Sequence, residues 1–110
     1  MLLPAAEQAH IDPAKIRDYL LSHVHPVGRF KATVFLALGY RAEEWERLRD
    51  DLLALACETE AVPGQASAFG QKYEVSGSLH GPNVRVAKFI CVWLVPIGGE
   101  APRFITAFPG

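Results

Sequence analysis

The hydrophobic period of this chain changes once, near its middle, and that change restricts what it can fold into. Before residue 58 the apolar residues recur at threes and fours, and after residue 70 they alternate. The first period belongs to helices with one buried stripe, the second to strands with one buried face. Helices followed by strands, without interleaving, predict an α+β domain rather than a parallel sheet with crossover helices. The chain reads as one domain over residues 1–110, with a helical half at 12–57 and an antiparallel sheet at 71–108.

Local chemistry sets the expected boundaries. Asp12-Pro13 is a helix start, a capping carboxylate followed by proline at the first helical position. Ile16, Tyr19 and Leu20 then form a buried stripe, and Pro26 stops the helix near Ser22–His23. A second helix runs from Val27 or Arg29 to Leu38, with Gly39 just past its end. The third runs from Arg41 to about Cys57 on the stripe Ala42, Trp45, Leu48, Leu52 and Leu55. Residues 58–70 are small and polar with Pro63, Gly64 and Gly70, and read as a loop. Tyr73, Val75, Gly77 and Leu79 alternate with Lys72, Glu74, Ser76 and Ser78, the pattern of a strand with one wet face. Gly81-Pro82-Asn83 is a turn, and residues 84–95 become apolar on both faces, as a long central strand does. A turn over Pro96–Pro102 precedes a short last strand, Arg103–Phe108. Sequential pairing gives about three helices packed on a three-stranded antiparallel meander.

Composition excludes several classes. No apolar run reaches the ~20 residues that a membrane-spanning helix needs, and Met1–Ala6 lacks the basic flank of a signal peptide. Cys57 and Cys91 match no zinc spacing and form no disulfide framework, which fits reduced thiols in a cytoplasm. Cys91, in the central strand, reads as inert filling, and Trp45 and Trp93 as core aromatics. Net charge is −1, so the whole chain is no basic nucleic-acid binder. Acids gather at residues 41–60, while Lys72, Arg85, Lys88 and Arg103 outnumber Glu74 and Glu100 in the second half. A local cationic patch for an anion is thus available.

His25-Pro26-Val27-Gly28-Arg29-Phe30-Lys31 is a stiff corner between two apolar runs, and it carries an imidazole and two cations. Such a corner is either a helix–helix turn or one wall of a site. His23-Val24-His25 has the spacing of two metal ligands, but Pro26 follows at once and no third ligand is evident, so no metal or other cofactor is expected. Metal-free RNA cleavage needs a base for the 2′-hydroxyl, an acid for the leaving oxygen and cations around the phosphorane. His25, Lys31, Lys72 and Arg103 are candidates for those roles, with Arg29 and Arg85 as further phosphate contacts and Tyr73 and Thr106 as hydroxyls. In an up–down–up meander Lys72 and Arg103 start at the same end and Arg85 at the other, so His25 and Lys31 must fold over the end that holds Lys72 and Arg103.

Three runs, residues 15–21, His25–Ala32 and Phe35–Tyr40, resemble an uncharacterised bacterial family marked by His-Pro-Val-Gly-x-x-Lys-Ala. Its members are small proteins or C-terminal domains of larger toxin-like chains. The resemblance continues through Gly70–Gly77, Gly81-Pro82-Asn83 and Pro102–Pro109. The family pattern has glycine at the position of Val84, threonine at Cys91 and tyrosine at Phe108. Its helices-then-meander order is similar to the ribonuclease toxin superfamily of barnase, EndoU, colicin nucleases and RelE, an analogy of fold. That resemblance implies a metal-independent endoribonuclease toxin of a toxin–antitoxin or polymorphic toxin system. It places His25 and Lys31 with Lys72, Arg85, Arg103 and Thr106 in the site. RNA rather than DNA would be the substrate and a small cognate antitoxin protein the partner. The alternative is a non-catalytic module that binds a small protein through its sheet edge or helix groove. The distances among the cations discriminate the two.

Overall fold

The computed structural model describes residues 1–22, 24–99 and 101–110. Asp12 accepts a hydrogen bond from the Ala14 N–H at 2.9 Å and opens α1 (Pro13–Lys15). The helix then widens into a π-wound turn, Ile16–Leu20, closed by the Leu21 N–H donating to the Ile16 carbonyl at 2.9 Å. The first helix is therefore shorter than the expected run to Ser22–His23, and His23 itself lies outside the described residues. The wide turn buries Ile16, Leu20 and Leu21 together and leaves Tyr19 only partly covered. Next come α2 (Arg29–Ala37), which buries Ala32 and Phe35, and Gly39 just beyond it with φ 94°. A 3₁₀ turn at Ala42–Glu44 leads into α3 (Trp45–Glu58), whose Leu48, Leu52 and Ala56 are fully buried.

Among the described residues the sheet has four strands, not three. They are β1 (Ala61–Ser67), β2 (Gly70–His80), β3 (Val86–Pro96) and β4 (Arg103–Pro109), paired antiparallel in sequence order. The strand that the sequence reading took for a loop is β1. Only its Ala61 is buried, so it shows no alternation to detect. Pro63 and Gly64 are tolerated because β1 is an edge strand, and its register slips between Pro63 and Ala66.

β2 carries the expected alternation, with Val75 and Leu79 buried and Lys72, Glu74, Ser76 and Ser78 exposed. β3 buries Phe89, Cys91 and Trp93 against the helices, while Ile90, Val92 and Leu94 on its other face are half-covered. Trp93 is fully buried and Trp45 only partly, with the Arg49 guanidinium 5.2 Å from the Trp45 ring. Phe35 stacks on Phe89 at 4.7 Å, and Trp93 meets Phe104 edge-on at 5.4 Å, joining the helical layer to the sheet. Leu3, Ala6 and Ile11 complete the core from the N-terminal segment. His10 runs beside the free edge of β4, its N–H on the Pro102 carbonyl and its carbonyl on the Phe104 N–H. Among the described residues no helix is long and apolar enough to cross a membrane.

Candidate functional site

The corner is held by its own side chains. The first amides of a helix have no partner within it, and α2 lacks a Ser, Thr, Asn or Asp cap. His25 fills that role: its Nδ1 accepts from the N–H groups of Val27 at 3.0 Å and Gly28 at 2.9 Å. Ser22 Oγ accepts from Val24 and His25, and the His25 carbonyl accepts from Arg29. Gly28 is needed for backbone contact: a Cβ there would lie 2.0 Å from the Tyr19 carbonyl oxygen. The corner is thus locked against the π turn, with the His25 ring edge-on to Tyr19 at 5.0 Å. With Nδ1 an acceptor, the ring proton sits on Nε2. His25 therefore offers a donor rather than a base in this arrangement.

Lys31, the third residue of α2, reaches the edge strand. Its Nζ donates to Thr106 Oγ1 at 2.6 Å and lies 5.2 Å from the Tyr19 ring and 5.9 Å from the Phe108 ring. The Tyr19 hydroxyl meets the same Thr106 Oγ1 at 3.2 Å. Thr106 faces this cluster because the β3–β4 register shifts between Val92 and Trp93, which leaves Ile105 as the extra residue. A groove of about 620 Å³ results, lined by Asp12, Lys15, Tyr19, His25, Lys31 and Thr106 among others. Asp12 caps Ala14, and Asp18 at the rim pairs with Arg17. No carboxylate stands within ion-pairing distance of Lys31 among the described residues.

Burial acts to raise the pKa of the Tyr19 hydroxyl. Hydrogen bonding to Lys31 and Thr106 and the charges of Lys31 and Lys15 outweigh it, and the group sits below the ordinary tyrosine value. Burial alone pushes the Cys91 thiol up to about 12, consistent with an inert core residue. Among the described residues no group of metal-ligating side chains gathers, and His23 of the His-x-His lies outside them.

Of the residues singled out in the sequence, the structure brings His25, Lys31 and Thr106 together. Arg103 lines an adjoining groove of about 590 Å³ that shares Asp12, Lys15 and Ile105 with the first. Lys72 and Arg103 do lie at one end of the sheet, both paired with Leu94. Two strand spacings separate them by ~10 Å, and Lys72 is exposed and lines neither groove. Arg85 follows the turn at the opposite end, ~30 Å along β3 from Leu94. Tyr73 is in the inward row with Trp93 and Phe104. Arg29 is exposed, 4.7 Å from the Phe30 ring, outside the groove. The corner also departs from expectation: it meets β4 in mid-strand, at Thr106, and does not fold over the end that holds Lys72. Tyr19 and Lys15 were missed. The available signal was that a tyrosine in a helical stripe needs a partner for its hydroxyl, and Lys15 precedes it by one turn.

No curated protein sequence matches this chain. Its fold is similar to that of a solved chain from the contact-dependent growth inhibition toxin–immunity protein complex of Klebsiella pneumoniae 342. That likeness has a TM-score of 0.72 at 16% identity and covers 97% of each chain. A family model matches over residues 2–110, and the chain belongs to the family described as domain of unknown function DUF6883.

Proposed function

We propose that this chain is the toxin of a bacterial toxin system and cleaves RNA without a metal at the Tyr19–Lys31–Thr106 cluster. The observation that carries the reading is the Lys31 ammonium, fixed by Thr106 between two aromatic rings with no carboxylate beside it among the described residues. A cation so held is oriented for a phosphate, and it favours the phenolate form of Tyr19. Tyr19 takes the proton of a ribose 2′-hydroxyl. The bond from that oxygen to phosphorus forms as the bond to the 5′ oxygen breaks, and Lys31 supplies a proton to the 5′ oxygen. The products are a 2′,3′-cyclic phosphate and a 5′-hydroxyl. Thr106 holds Lys31 and Tyr19 in register, and the His25 Nε2–H donates to a non-bridging oxygen. Arg103 holds a neighbouring phosphate from the adjoining groove. Lys72, Arg29, Tyr73 and Arg85 have no part in this reading, since none lines the groove.

The fold likeness to a chain of a toxin–immunity complex supports the toxin-system context and a small neutralising protein as partner. The test is incubation of the purified chain with total RNA in EDTA. Cleavage with cyclic-phosphate ends is expected, reduced ~10²–10³-fold by Lys31→Ala. Intact RNA with and without added divalent metal would sink the reading. A partner-binding module is the second reading. It draws on the exposed apolar trio Val24, Val27 and Phe30 at the corner (86%, 55% and 70% exposed). It gains if RNA stays intact while a neighbouring-gene protein binds and Phe30→Ala weakens that binding.

A further inference from the structure

The adjoining groove differs from the reactive one. Its lining is mostly apolar, Ile11 and Ile105 included, and Arg103, Lys15, His10 and Asp12 stand among it. At its rim is Phe69, 78% exposed on the β1–β2 turn. A base-stacking platform needs an exposed aromatic face on a fixed backbone. Phe69 is held. Its N–H donates to Ser67 Oγ at 3.1 Å, and its carbonyl accepts from the Ile97 N–H at 3.2 Å, tying the two turns at this end of the sheet. Gly70 beside it packs so closely that a Cβ would lie 2.2 Å from the Val95 carbonyl oxygen. His10 is fixed by backbone bonds to both sides of Arg103, at Pro102 and Phe104. An exposed ring on a fixed backbone, an apolar lining and three basic side chains are what a nucleobase and its flanking phosphate require. The groove also runs into the Tyr19–Lys31 cluster through Asp12, Lys15 and Ile105.

We propose that this groove is a base-stacking subsite for single-stranded RNA, with Phe69 as the platform and Arg103 on the flanking phosphate. The proposal deepens the ribonuclease reading and rests on it for the direction of the strand, which runs from Phe69 toward Thr106. Stacking needs an unpaired base, so duplex RNA is excluded from the subsite.

Anisotropy with a cleavage-resistant 2′-O-methyl single strand, and with the same strand made abasic, tests it. The wild-type chain should bind the base-bearing strand ~10-fold tighter or more. Phe69→Ala should abolish that difference, Phe69→Trp should keep it, and Arg103→Ala should weaken both strands alike. Phe69 is exposed, so these variants keep the core intact. Equal affinity of wild type for the two strands overturns the subsite. So does a base preference that survives Phe69→Ala, or a Phe69→Ala defect confined to binding a protein partner. Because the probe cannot be cleaved, base-dependent binding without cleavage of ordinary RNA sinks the ribonuclease reading and keeps the subsite. Cleavage without base-dependent binding does the reverse.

Discussion

Tyr19 and Tyr40 lie on the same helical half and have opposite surroundings. Tyr40 is 1% exposed and donates its hydroxyl proton to Asp51 at 2.6 Å. Burial first, then the hydrogen bond and the charge of Asp51, push that phenol far above its ordinary range, against a smaller opposing effect of Arg47. Tyr19 is partly buried at a groove, beside Lys31 and Thr106, and moves the other way. The sign of the neighbouring charge separates the two roles. A phenol facing a carboxylate is a fixed donor that belongs to the fold. One facing an ammonium in an open groove can give up its proton and take it back.

The largest expected effects break the pair apart. Tyr19→Phe should cut RNA cleavage by ~10²–10³-fold, the usual weight of a positioned proton carrier. It should change unfolding stability by less than ~1 kcal/mol, since only a rim hydrogen bond is lost. Tyr40→Phe should do the reverse. It removes a buried hydrogen bond to a charged group, for a loss of ~2 kcal/mol in urea unfolding, and leaves cleavage by the folded protein unchanged. Initial rates and urea midpoints on the same preparations decide the matter. Equal activity loss in both variants would mean that the two tyrosines do not have separate roles.

The next effect is in pH. The folded-state value of Tyr19 is depressed, so between that value and the unfolded value of about 10 the unfolded chain binds more protons. Stability from this group therefore grows as pH rises through the window and is lost as pH falls back through the folded value. Tyr40 is raised. Its contribution is complete below about pH 10 and is lost as pH climbs toward its elevated folded value. Unfolding measured from pH 8 upward should show the rising contribution vanish in Tyr19→Phe and the falling one vanish in Tyr40→Phe. The cleavage rate should carry an ascending limb below pH 10 that moves to higher pH in Lys31→Gln, because the cation that favours the phenolate is gone. A limb that stays in place in Lys31→Gln would show that Tyr19 is not the titrating group.

Much of the fold was legible because local chemistry agreed with it. Asp12-Pro13 started a helix, Gly39 ended one, the Leu48–Leu52 stripe faced the core, and β2 alternated as written. β1 was hidden because an edge strand exposed on both faces has no period. The site was only half legible, for a different reason. Both of its walls are built by irregularities. Counting by twos from Phe104 puts Thr106 on the core face. The bulge at Ile105 turns it outward and gives the inward place to Ala107. The π turn likewise leaves Tyr19 at the rim of a stripe that periodicity assigned to the core. His25 and Lys31 were visible as residue types, but not that His25 would use its Nδ1 as a helix cap. Lys72 and Arg85 looked equivalent to Lys31 until the register placed Lys72 two strands away from Arg103, outside both grooves, and Arg85 at the other end.

The smallest effect tests whether stability and chemistry are separable along the sheet. Val84 sits in the turn before Arg85 with φ 65°, where the resembling family pattern has glycine. A β-branched residue in the left-handed region costs ~1–2 kcal/mol, and Val84 is 90% exposed, so little packing offsets that cost. Glycine loses somewhat more chain entropy on folding, and it retains the N–H bond to the Gly81 carbonyl. Val84→Gly should therefore stabilise the chain by about 1 kcal/mol, a rise of several degrees in Tm for a domain of this size. The Tyr19 limb of the pH–rate profile should not move, since the turn is ~25 Å along β3 from Val92, the partner of Thr106. If Val84→Gly raises Tm and shifts that limb as well, the turn and the cluster are coupled, and Tyr19 owes its state to the fold as a whole rather than to Lys31.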